Sequence, residues 1–65
     1  MKIKYLEDTD TLYIEFRDRE IADTTDLDEN TTIDVDAQGN ILAITFEHAS
    51  ERTDIRQLIV EGIAA

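Results

Sequence analysis

Sixty-five residues and 7.4 kDa leave room for one small domain, expected to span residues 1–65. With no cysteine and no uninterrupted apolar run longer than Ile41-Leu42-Ala43-Ile44, a disulfide scaffold, a membrane span and a multidomain enzyme are excluded. Six Lys+Arg against sixteen Asp+Glu give a net charge of −10, which repels phosphate backbones and anionic membranes.

The same charge suits a basic protein partner, steered in by long-range attraction. Two plainer readings of it are solubility and adaptation to high salt, since lysine is limited to Lys2 and Lys4. A chain this short buries only about 60% of its extended surface, so its core is marginal. Very good packing or a second chain must complete it. Met1-Lys2-Ile3-Lys4-Tyr5 lacks the apolar run of a signal peptide, and the cytoplasm is the expected compartment.

The first half alternates at period two, the pattern of strands with one wet face. Ile3 and Tyr5 alternate with Lys2 and Lys4, and Glu7-Asp8-Thr9-Asp10-Thr11 supplies turn chemistry. Leu12, Ile14 and Phe16 then share one face, opposite Tyr13, Glu15 and Arg17, which completes a hairpin. Arg17-Asp18-Arg19-Glu20 turns the chain. Residues Ile21 to Leu27 alternate weakly and read either as an acidic edge strand or as an extended loop.

Thr31, Ile33 and Val35 define a further strand, and Asp36-Ala37-Gln38-Gly39-Asn40 a turn with Gly39 free to take positive φ. Leu42, Ile44 and Phe46 form the inward face of the last strand, with Ile41, Ala43 and Thr45 opposite. Being apolar on both faces, it suits a central position or a partner's cover. After Glu47 the period becomes helical. Ser50 is the expected N-cap, Glu51 lies in the first turn, and Ile55, Leu58, Ile59 and Ile63 make one apolar stripe up to Gly62 and beyond. The predicted architecture is α+β: an antiparallel meander of four to five strands with one C-terminal helix packed on one face.

Asp34-Val35-Asp36-Ala37-Gln38-Gly39-Asn40-Ile41 resembles a calcium loop at its first and third ligands, its glycine and the apolar residue after it. Gln38 and Thr45 stand where the fifth and twelfth ligands belong, and a hairpin turn explains the same residues. The acids Asp8, Asp10, Asp18, Asp23, Asp26, Asp28 and Glu29 could gather as a weak divalent-cation site, but they read more simply as solvated loops. His48 is the only histidine and has no nucleophile poised beside it except Ser50, already assigned as a cap. No catalytic residue, metal ligand or cofactor site is therefore assigned, and no enzyme activity is expected. Tyr13, Ile41, Ile59 and Ile63 are the residues offered to a protein partner, either a basic protein or a second copy of the chain.

The order Met1-Lys2-Ile3-Lys4-Tyr5, Asp10-Thr11-Leu12-Tyr13-Ile14, Ile33-Asp34-Val35-Asp36, Gly39-Asn40-Ile41, and Ile44 ahead of Ala49-Ser50 resembles the small bacterial and archaeal family called domain of unknown function 2283. The resemblance runs from Met1 to about Arg52 and departs from the family at Leu6, where an aspartate is usual. It implies no activity. It does imply a neighbourhood of small toxin genes, and hence an antitoxin role for some members.

Overall fold

A computed structural model describes residues 1–54 of the chain. Five strands form a single antiparallel sheet: β1 (Lys2–Leu6), β2 (Thr11–Glu15), β3 (Asp23–Asp28), β4 (Thr31–Val35) and β5 (Ile41–Phe46). One short helix follows, α1 (Ala49–Arg52). The fold is α+β and mostly β. The expected apolar stripe at Ile55, Leu58, Ile59 and Ile63 lies outside the described residues.

The sheet is not a sequential meander. Its strand order is β1-β2-β5-β4-β3, so β2 pairs with β5 and the chain between β2 and β3 crosses one end of the sheet. Along that crossing, the N–H groups of Phe16 and Arg17 both donate to the Leu42 carbonyl, at 2.7 and 3.2 Å, and Ala22 donates to Val35 at 2.8 Å. Polarity explains the order. β5, apolar on both faces, takes the centre, while Asp-Thr-Thr-Asp-Leu-Asp takes an outer edge with all six residues exposed. Residues Ile21 to Leu27 thus contribute an edge strand, broken by a register shift between Asp26 and Asp28 that further discourages pairing with another sheet.

Register divides the residues between two unlike faces. On one, Ile3, Ile14, Ile44 and Ile33 stand directly across from one another over four strands, and Tyr5, Leu12, Phe46 and Thr31 form the next row. On the other, the rows are Lys4, Tyr13, Thr45 and Thr32, and Lys2, Glu15, Ala43 and Asp34. Cross-strand neighbours of one kind on each face fix the pairing, because a slip of one residue would turn every isoleucine to the wet side. The apolar face is only partly covered. Among its members, Leu12 falls to 2% exposure, while Ile3, Ile14, Ile33, Ile44 and Phe46 remain half-buried.

At the turn between β4 and β5, Asp36 organises the backbone. Its carboxylate accepts from the N–H of Gln38 at 3.0 Å, the N–H of Asn40 at 2.9 Å and the Asn40 amide at 3.1 Å. Gly39 sits at φ 86°, a conformation side chains resist. The residues that resembled a calcium loop thus form a hairpin turn.

Candidate functional site

The opposite end of the sheet carries the helix and is built from three separate stretches of chain. His48 occupies the N-cap position of α1 in a left-handed conformation (φ 55°), and its side chain makes no capping hydrogen bond. Ser50 is therefore not the cap expected of it but a residue of the first turn. The cap is supplied across the fold by Asp10, in the turn between β1 and β2. Its carbonyl accepts from the Ala49 N–H at 2.9 Å, and its carboxylate accepts from the Ser50 N–H at 3.1 Å and the Ser50 hydroxyl at 2.7 Å. The Tyr5 hydroxyl donates to the same carboxylate.

A carboxylate receiving donors at a helix start is stabilised in its charged form. The Tyr5 hydroxyl and then Ser50 hold the Asp10 carboxyl below its ordinary value of 3.8, and the same bond raises the Tyr5 phenol. Like Gly39, Asp10 lies at positive φ, 54°, which aspartate tolerates better than most side chains.

Arg52 fastens the other end of α1. Its guanidinium donates to the Asn30 carbonyl at 2.9 Å and the Thr31 hydroxyl at 2.7 Å, lies 3.7 Å from the Asp28 carboxylate, and sits 5.1 Å from the centre of the Phe46 ring. The planar fork suits several acceptors at once. Asp28 itself is held below its ordinary value, first by the Asn30 N–H. Ala49 lies fully buried against Leu12 between these two fastenings, with Ile3, Tyr5, Ile14 and Phe46 around them. Beside this cluster opens an apolar groove of about 280 Å³, lined by Leu12, Ile14, Phe46, Ala49, Arg52 and Thr53.

The residues offered to a partner are not brought together. Tyr13 is half-buried on the polar face, between Lys4 and Thr45, with its phenol raised above the ordinary value by burial and by Glu15. Ile41 is 46% exposed at the far end of β5. Four residues of strand separate its level from that of Thr45, about 13 Å. A shift in register at Asp34 and Val35 sets Ile41 opposite Val35, which breaks the expected alternation around Leu42. Ile59 and Ile63 lie outside the described residues.

The acids also disperse. Asp23 accepts from the N–H of Thr24, and Asp28 accepts from the N–H of Asn30 while facing Arg52. Among the described residues, no three His, Asp or Glu side chains converge as metal ligands, and no helix is long and apolar enough to cross a membrane. His48 is exposed and lies 3.5 Å from Glu51. Sequence reasoning missed the roles of Asp10 and Arg52, whose partners lie 40 and 21–22 residues away.

Comparison with curated proteins and with solved structures finds no match. Residues 2–50 match a family whose boundaries take in all five strands and the Asp10–Ser50 contact, but not Arg52. The chain belongs to the family described as Protein of unknown function (DUF2283).

Proposed function

We propose that this protein is a non-catalytic interaction module of the cytoplasm, the acidic half of a pair whose other member is a small basic protein of antitoxin–toxin type. The observation that carries the reading is the acidic β3 edge, where Asp23, Asp26 and Asp28 stand exposed on a chain of net charge −10. Such an edge steers a basic surface from about a Debye length away, roughly 10 Å at 0.1 M salt. Tyr13 and Ile41 then offer apolar area to the docked partner. A non-catalytic role is supported by how the reactive groups are spent: Tyr5, Asp10 and Ser50 bond to one another as a helix cap, and His48 faces Glu51.

The test is a pull-down with the full chain from its own cells at about 0.1 M salt. One small basic protein in the eluate, lost at high salt, is the expected result. Bait alone would overturn it. A homodimer is the second reading, favoured by the half-covered apolar face. Light scattering that gives a monomer at high concentration would dispose of it.

A further inference from the structure

Strand register orders charge as well as polarity. On the polar face, Lys4, Tyr13, Thr45, Thr32 and Asp26 stand in one row across all five strands, from the β1 edge to the β3 edge. Lys2, Glu15, Ala43, Asp34 and Thr24 make the neighbouring row. We infer that this face docks a second copy of the chain about a two-fold axis along β5, with Lys4 of each copy over Asp26 of the other.

Three observations favour that occupant. The first is the pattern. Rotation about β5 exchanges the β1 and β3 edges, so a row with lysine at one end and aspartate at the other is complementary to itself. Rotation about an axis along the row puts lysine over lysine, and that repulsion selects against it. The second is local charge. The chain carries −10, yet these two rows set Lys2 and Lys4 against Glu15, Asp26 and Asp34, a net −1. A second copy approaches here without the repulsion that the whole molecule implies. The third is placement. Tyr13, Thr45 and Thr32 are half-buried in the middle of their row, while Lys4 and Asp26 are exposed at its ends, so uncharged side chains lie inside a charged rim.

Packed sheets cross at about 30°, which displaces the row ends by roughly 5 Å, within reach of a lysine side chain. The same rotation brings Glu15 toward Asp34, which costs affinity. The face is also small: five strands about 4.8 Å apart give about 400 Å², half of each partner's share in a standard interface. The dimer is therefore weak and forms only in concentrated protein. It leaves the apolar face free and is independent of the basic-partner reading.

Sedimentation equilibrium of the full chain up to about 1 mM, at about 0.05 M salt, tests it. Lys4→Glu and Asp26→Lys alter exposed edge positions, and each alone is expected to weaken the dimer about tenfold. Net charge by itself would make Asp26→Lys associate more tightly, so its weakening reports the contact. Mixing the two variants in equal amounts should restore the dimer, because each supplies the charge that the other has reversed. On dilution of the natural chain, the NMR resonances of Tyr13 and Thr45 should move and those of Phe46 should not. A monomer at every concentration, an unweakened Asp26→Lys variant or a mixture that stays monomeric would overturn the inference. Species larger than a dimer would overturn it too, assigning the same charges to edge-to-edge addition of sheets.

Discussion

The two ends of the sheet are each organised by an aspartate that accepts three or more hydrogen bonds, and they use it for different purposes. The Asp36 carboxylate accepts hydrogen bonds from Gln38 and Asn40, so those bonds stay within one turn. Asp10 bonds to Tyr5 on one side and Ser50 on the other, joining β1, the first turn and α1. The same chemical group is a local brace at one end and a long-range tie at the other. Loop closure accounts for the difference in consequence. Closing 40 residues of chain costs more entropy than closing two or four, so the Asp10–Ser50 contact depends on the strands between already being paired, whereas the Asp36 turn does not.

Substitutions at each end should separate these roles. The largest effect is expected at Leu12, buried to 2% exposure beneath Ala49: Leu12→Ala should destabilise the fold by about 3 kcal/mol in urea denaturation. Asp10→Gly removes the carboxylate and tolerates the positive φ. It should lower the melting temperature less than Leu12→Ala and more than Asp36→Ala, and Asp10→Ala should be worse than Asp10→Gly because alanine resists φ 54°.

Acid should act on both ends together. Asp10, Asp28 and Asp36 all have folded values below the ordinary 3.8. The stability they contribute is present above that unfolded value and lost as pH falls through the lower folded ones. Thermal melts from pH 6 downward should show stability declining below about pH 4, with a shallower decline in the Asp10→Gly variant.

Arg52→Lys keeps the charge but loses the fork shared by Asn30 and Thr31. A cost of about 1 kcal/mol is expected, with the Phe46 ring resonances shifted. Gly39→Ala meets no atom within 4 Å, so its whole effect is the backbone strain of φ 86°, again about 1 kcal/mol and confined to the Asp36 end.

The sequence showed the local brace and hid the long tie, for the same physical reason. Asp36, Gly39 and Asn40 lie within five residues, and turn chemistry at that range is set by neighbours alone. The alternation of β1, β2, β4 and β5 was equally legible, and two-sided apolarity placed β5 at the centre. Strand order was not legible as a whole, because nothing near Phe16 announces that the chain will cross the sheet end before forming β3. Ser50 misled for a related reason: it stands at a helix start, but the left-handed His48 takes the N-cap position two residues earlier and Asp10 supplies the cap from afar. Arg52 gave no local sign of its role, since its acceptors Asn30 and Thr31 lie in the turn before β4 and at the start of that strand. The partner surface expected at Tyr13, Ile41, Ile59 and Ile63 rested on the aromatic or apolar character of single residues, and for Tyr13 and Ile41 only register shows how far apart they stand.

Amide hydrogen exchange in the Asp10→Gly and Asp36→Ala variants tests most directly the claim that one aspartate ties the fold together while the other braces a turn. The account predicts that Asp10→Gly speeds exchange at Ala49, Ser50 and Thr53 and leaves Gly39 and Asn40 unchanged, with the reverse pattern in Asp36→Ala. Ser50 remaining protected in Asp10→Gly, or equal acceleration at both ends in either variant, would contradict it.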